Sequence, residues 1–315
     1  MPGKKKSKKK PYKIINWQEY NTALKQRGSL TIWISKDIED SWYAQRAVHR
    51  KPGRQLEYSD QSIQLMLTLR SLFKLPLRQL EGLCQSLFKL GDIKLKVPEF
   101  SRLSRRSAKA LAKISLPSSE EATYLIIDST GLKVYGESEW LQNKYGTQYK
   151  RKVWRKLHIG INKDGLILSA VMTNHLTDDR QCVSNLIEQA NPELVTEVIA
   201  DAGYDSKAVH DILASKGIKA IIPPPAGSRV IKENAKTLRD QYCNYVQNKG
   251  IHAWYVKNNY RRREKVENTF YRYKTIIGRK LMSRKWENQQ AEMHLSCLIL
   301  NQVTKLGMPQ YIIQE

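Results

Sequence analysis

The chain has 315 residues, enough for one large domain or two modest ones, and with 41% apolar and 27% charged residues it excludes global disorder. Its 54 Lys and Arg against 30 Asp and Glu leave a net charge of +24, which excludes a neutral mixed surface and predicts a polyanionic partner. No stretch reaches the ~20 apolar residues of a membrane span, and Cys84, Cys182, Cys243 and Cys297 are too dispersed for a zinc knuckle or a disulfide framework, so a reduced, cytoplasmic, nucleic-acid-facing protein is expected.

Residues 1–10 carry six lysines with no apolar run behind them, which predicts a solvated arm with non-specific attraction for phosphate rather than a secretory signal. Trp17, Tyr20, Trp33, Trp42 and Tyr43 follow; such rings serve core or docking contacts more often than base stacking. After a polar break at Lys51-Pro52-Gly53-Arg54, Ser59 and Asp60 cap a helix with Ile63, Met66, Leu67, Leu69 and Leu72 on one face. Pro76 opens a second helix, with Leu77, Leu80, Leu83, Cys84, Leu87 and Phe88 inward. A third, short helix carries Arg102, Arg105, Arg106 and Lys109. Three helices ending in a basic one fit a helix-turn-helix-like DNA-binding module over residues 1–116, and a generic basic surface helix fits the same residues.

A linker at Pro117–Glu120 begins the second domain, 117–315. Tyr124–Ile127 is a continuously apolar run, as in a strand buried on both faces. A hairpin is expected from His158–Ile161 and Leu166–Thr173 about Lys163-Asp164-Gly165. Then come a helix over Asp178–Ala190, a strand over Val195–Ala200, a helix over Ser206–Lys216, a strand over Ile218–Ile222 and a long helix from near Tyr260. The order predicts an α/β fold, a mixed sheet flanked by helices.

Two of these strands are expected to stop at an aspartate, Asp128 and Asp201, at the sheet rim where α/β folds bind ligands. Either aspartate also suits a turn, in Asp128-Ser129-Thr130-Gly131 or Asp201-Ala202-Gly203. At about 100° per residue, Tyr260, Arg263, Glu267 and Lys274 fall in one helical stripe beside the apolar stripe of Val266, Phe270, Tyr273 and Ile277. Glu267 is thereby expected near the sheet rim and Glu264 in solvent; an ordinary i,i+4 pair of Arg263 with Glu267 is the plainer reading. Should Asp128, Asp201 and Glu267 converge, charges ~4 Å apart repel by about 4 kcal/mol per pair at an effective dielectric of 20. Such a cluster holds a proton or a divalent cation, and oxygen-only ligands favour Mg²⁺ or Mn²⁺. Two such ions in a basic protein suit in-line phosphoryl transfer on nucleic acid. Trp254 is expected in the core rather than stacked on a flipped base.

The set Asp128, Asp201 and Glu267, with Tyr260-x-x-Arg263-x-x-x-Glu267-x-x-x-x-x-x-Lys274, resembles the motif of bacterial DDE transposases of the insertion-sequence type. The stretches Asp128–Glu137 and Ile199–Asp205, together with Arg27-Gly28-Ser29-Leu30 and Leu75-Pro76-Leu77-Arg78-Gln79, resemble the insertion-sequence-five family. The likeness covers nearly the whole chain. It implies an RNase H-like core and two Mg²⁺ ions, replaceable by Mn²⁺, on Asp128, Asp201 and Glu267 as catalytic residues. It also implies phosphate contacts by Tyr260, Arg263 and Lys274, and recognition of the terminal inverted repeats by the N-terminal module. The implied reaction is hydrolytic exposure of a 3′-hydroxyl and attack of that hydroxyl on target DNA, by a homodimer on DNA, in the bacterial cytoplasm at the nucleoid and away from membranes. Lys150, Arg151, Lys152, Arg155 and Lys156 are expected to line a DNA path, or else to protect a sheet edge. Two other readings remain: an inactive or domesticated relative that binds DNA without cutting, and a basic structural protein, which leaves the strand-end aspartates unexplained.

Overall fold

The computed structural model describes residues 12–34, 36–45, 56–112, 114–134, 154–228 and 237–313; residues 1–10, 51–54 and Lys150, Arg151 and Lys152 lie outside the described residues. A short strand, β1 (Tyr12–Ile14), precedes α1 (Trp17–Arg27), and then three helices follow: α2 (Asp60–Phe73), α3 (Leu77–Leu90) and α4 (Phe100–Leu111). The Ser59 hydroxyl accepts from the Ser62 N–H at 3.0 Å, so the cap expected of α2 is the one that starts it. Ile63, Leu67, Leu80, Cys84 and Leu103 form the core of this helical module, beside a wholly buried Trp42 whose Nε1 donates to the Lys96 carbonyl at 2.8 Å. All four cysteines are buried and free.

Six strands form the central sheet: β2 (Thr123–Val134), β3 (Trp154–Ile161), β4 (Ile167–Asn174), β5 (Val195–Ile199), β6 (Lys219–Ile221) and β7 (Lys280–Leu281). The order is β4-β3-β2-β5-β6, with β7 added beside the far end of β2. The β2-β3-β4 part is antiparallel and the β2-β5-β6 part parallel, an RNase H-like arrangement. The side chains of β2 alternate. Leu125 and Ile127 face α5 (Val183–Gln189) and α6 (Lys207–Ser215), while Ile126 faces the opposite layer. That layer holds α7 (Leu238–Lys249), α8 (Ile251–Lys257), α9 (Glu264–Ile276) and α10 (Trp286–Leu306). Burial on both faces is why the run reads as continuously apolar. Finally β8 (Tyr311–Ile313) pairs antiparallel with β1.

Three expectations are corrected. β2 does not stop at Asp128, and no turn forms there: residues 129–134 continue the strand, and the ladder with β3 runs from Ser129 opposite His158 through Lys133 opposite Trp154. What stops at this level is β5, whose pairing with β2 ends at Ile126 opposite Ile199. Nor is the chain α-helical from Tyr260. Asn259 takes a left-handed conformation (φ 46°), Tyr260–Arg263 form a 3₁₀ turn, and α9 begins at Glu264. The tighter turn rotates Tyr260 off the stripe that 3.6 residues per turn would place it on. The helix expected over 178–190 is likewise a 3₁₀ turn, Asp179–Cys182, running into α5.

Candidate active site

Asp128 lies mid-strand where its parallel neighbour has left the sheet, so its carboxylate faces the gap beyond β5. Its Oδ1 accepts from the Ser129 N–H at 2.7 Å. The chain leaving β5 turns at once: the Asp201 Oδ1 accepts from the Gly203 N–H at 2.9 Å and caps a 3₁₀ turn over Ala202–Tyr204. This fixes Asp201 beside Asp128 and leaves its Oδ2 outward.

Arg263 joins the three predicted acids. Its guanidinium donates to Asp128 Oδ2 at 2.8 Å and to Glu267 one turn along, and lies 3.7 Å from Asp201 Oδ2. Burial works against the Arg263 charge, yet Asp128 foremost, with Glu267 and Asp201, holds its pKa above the ordinary range. Burial pushes the Asp128 carboxyl up to about 6, against the pull of the Ser129 N–H and Arg263, with Asp201 and Glu267 adding to the rise. The plain i,i+4 pair and the convergent cluster are therefore both present, on the same arginine.

The two glutamates are not separated by exposure, since Glu267 is 59% and Glu264 68% exposed. They are separated by partner: among the described residues Glu264 pairs with Arg261 alone, at 3.6 Å, whereas Glu267 shares the Arg263 guanidinium with both aspartates. Tyr260 donates from its hydroxyl to the Ala200 carbonyl at 3.1 Å and stacks on Tyr255 at 4.9 Å, tying the 3₁₀ turn to the segment that carries Asp201. Lys274 stands apart from the acids. It is seven residues beyond Glu267, about 10 Å along α9, half-buried and without an ionic partner among the described residues. Trp254 is fully buried, edge-on to Tyr242 and Tyr260.

The other predicted cations divide sharply. Arg102 pairs with Glu57 and lies over the Tyr58 ring, and Arg106 donates to Asp60 at 2.7 Å. Arg105 makes no salt bridge among the described residues and reaches only Ser101, at 3.3 and 3.4 Å. Lys156 donates to Asp179 at 2.7 Å and to the Thr177 carbonyl at 2.9 Å, while Arg155 lies over Trp286 and donates to Gln289.

Asp179 carries no local signal in the sequence. It accepts from the Ser129 hydroxyl at 2.5 Å, next to Asp128, and Lys156 and Ser129 hold its pKa below the ordinary range although burial opposes them. The buried Tyr204 hydroxyl lies in the same field without a hydrogen-bond partner among the described residues; burial first, then Asp179, Asp128 and Asp201, pushes its pKa up. Asp205 is also new. Its nearly fully buried carboxylate accepts from His210 at 2.9 Å and from two Arg239 nitrogens at 2.7 and 2.9 Å, clamping the Asp201 turn to α7.

With a guanidinium between them, the carboxylates do not close to the spacing of a single ion, and among the described residues no group of three His, Cys or acidic side chains, these three included, is close enough to hold one. The donor chemistry is nevertheless that of a hard-cation site: oxygen-only, from three elements, gathered around a positive charge. Among the described residues no helix is long and apolar enough to cross a membrane.

Two family models match the chain, each described as a transposase DDE domain, one over residues 25–137 and the other over 120–302, more than half of the chain. Among solved structures, a cryo-EM structure of a piggyBac transposase synaptic complex with hairpin DNA is similar at 11% identity, with a TM-score of 0.45 over 89% of this chain and 73% of that one.

Proposed function

The chain belongs to the DDE transposases, and from that premise we propose that it is the transposase of an insertion sequence, of the insertion-sequence-five type, cutting DNA at the transposon ends and joining them to target DNA. The observation that carries this reading is the meeting of Asp128, Asp201 and Glu267, from a strand, a turn and a helix, on the single guanidinium of Arg263. Nothing in the packing of the core requires three acids there. A cluster of like charges is costly unless a cation is part of its use.

Asp128, Asp201 and Glu267 would hold divalent cations, Mg²⁺ or Mn²⁺, which when bound activate an attacking oxygen and stabilise a leaving one. The chain's own residues supply position. The mid-sheet backbone of Asp128 is rigid, the capped turn orients Asp201, and α9 presents Glu267. Arg263 neutralises the cluster in the free protein and is placed to donate to a DNA phosphate once it lets go of the acids, a geometry suited to a guanidinium. Tyr260 acts as a positioning residue through Ala200, and Lys274 supplies a second phosphate contact further along α9. Arg105 is the α4 cation placed for DNA, since Arg102 and Arg106 are engaged internally. Lys150 and Lys152 add phosphate contacts, whereas Lys156, held by Asp179 and the Thr177 carbonyl, is engaged internally like Arg102 and Arg106; two copies of the chain bridge the two ends at the bacterial nucleoid.

The test is a nicking assay with Mg²⁺ on a duplex carrying the inverted repeat that flanks the coding region. The wild type should cut one strand at the repeat boundary and Asp128→Asn should not. Binding without cutting by the wild type would favour the inactive relative.

A further inference from the structure

Between the helical module and the start of α10 lies an open pocket of about 450 Å³. Leu67, Leu77 and Leu103 line its apolar side. Its polar side carries Arg70, Arg105, Arg284 and Lys285, and no carboxylate of the described residues lines it.

Arg70 is the anchor. Its side chain is nine-tenths buried, and its Nε has no hydrogen-bond partner among the described residues. The neighbouring acid, Glu292, is 3.9 Å away, and its two oxygens already accept from the Met282 and Ser283 N–H groups at 2.7 and 2.8 Å. Burial lowers the Arg70 pKa and Glu292 offsets only part of this, yet a guanidinium stays charged. A desolvated positive charge is thus left under-compensated at the pocket wall.

The first turn of the 21-residue helix α10 adds to it. Among the described residues no side chain caps that N-terminus, and Lys285 and Asn288 on it both line the pocket. Free N–H groups and the positive end of a helix favour an anion. Glu287, the acid of that turn, lines a different pocket.

We propose that this pocket binds a backbone phosphate of duplex DNA at a place distinct from the acid cluster, an assignment that rests on the reading of the chain as a DNA-acting protein. Separation follows from the register: β7 pairs with Lys133 and Val134, five and six residues beyond Asp128, so the segment 282–285 begins about 20 Å along β2 from it. Guanidinium forks and an open helix N-terminus match phosphate oxygens. Four cations, with Glu292 behind one of them and already engaged by two backbone N–H groups, suit a polyanion that brings more than one charge.

Duplex binding measured by fluorescence anisotropy across a salt series tests this. Arg284 and Lys285 are exposed, so the double variant Arg284→Gln/Lys285→Gln should fold; its log K against log salt should be shallower by about 0.9 for each phosphate it no longer neutralises. A control that removes the same charge elsewhere, Lys216→Gln/Lys219→Gln, should keep the wild-type slope. Duplex binding with equal slopes in the wild type and the pocket variant would overturn the pocket alone. No duplex binding by the wild type would overturn the DNA reading and this assignment with it. If inorganic phosphate raises the Tm of the wild type but not of the pocket variant, while the duplex slopes agree, the pocket belongs to free phosphate and the assignment is wrong.

Discussion

Arg263 shows how one side chain can both assemble a site and restrain it. It supplies one positive charge against three carboxylates and keeps Asp128 partly neutralised inside the protein. A divalent cation and this guanidinium compete for the same oxygens. Charge-assisted hydrogen bonds are worth about 1.5–3 kcal/mol, so Arg263→Gln should tighten Mn²⁺ binding to the DNA-free protein roughly tenfold or more in calorimetry. It should also lower Tm, because the acids then repel unscreened; weaker Mn²⁺ binding would mean that Arg263 organises the ligands rather than competing for them. The neighbouring glutamates give a second comparison. Glu267→Gln removes the charge a hard cation requires and should abolish strand cleavage while leaving binding to transposon ends intact. Glu264→Gln, which gives up only an exposed pairing with Arg261, should cleave normally and stay within about ±0.5 kcal/mol in stability. Equal loss of activity in both variants would show that the third carboxylate has been misassigned.

Among the elements, β2 decides where the chemistry sits. Local sequence suggests a turn at Ser129–Gly131, but Leu132 and Val134 are buried and the β3 ladder runs on through Lys133, so tertiary pairing overrides turn propensity. The elements themselves are legible because apolar runs, caps and Asp or Gly turns are local signals. Asp179 and Arg284 are not, since their surroundings come largely from residues distant in the chain, and Asp205 is only half so: His210 is five residues on, but Arg239 is thirty-four away. The sheet also fixes how close its layers can come. Gly160 faces Leu125, and a Cβ there would sit 2.9 Å from the Leu125 Cδ1 and against the Ser169 hydroxyl, so Gly160→Ala should cost about 1–3 kcal/mol in urea unfolding. The turn after β5 offers a pH test. Burial disfavours the Asp205 charge, but His210 and Arg239 more than offset this and depress its pKa. A depressed folded-state pKa adds stability that is complete above the unfolded value, near 3.9, and is lost as pH falls through the folded one. Asp205→Asn should therefore lower stability by about 3 kcal/mol at pH 7. Its deficit against the wild type should shrink below pH ~4; a deficit independent of pH would assign the loss to packing.

At the scale of the molecule, α10 joins what the composition change at Pro117 suggests are two units. Met293, Cys297 and Leu300 pack on the sheet, while Ala291, Leu295 and Ile299 pack into the helical module, so one helix is buried on two faces by two cores. The arrangement has a functional consequence under the proposed reading, because a DNA end held by the helical module must be presented to the carboxylates at a fixed distance. A flexible hinge would forfeit that positioning. Leu295 is nearly fully buried at the junction, and Leu295→Ala should cost about 2–5 kcal/mol. If the two cores unfold together, hydrogen exchange should speed up to the same extent in α2 and in β2, although only the first is near Leu295. Faster exchange confined to α2 would show instead that the helical module opens by itself, and that the geometry between end recognition and cutting is set only when DNA spans both.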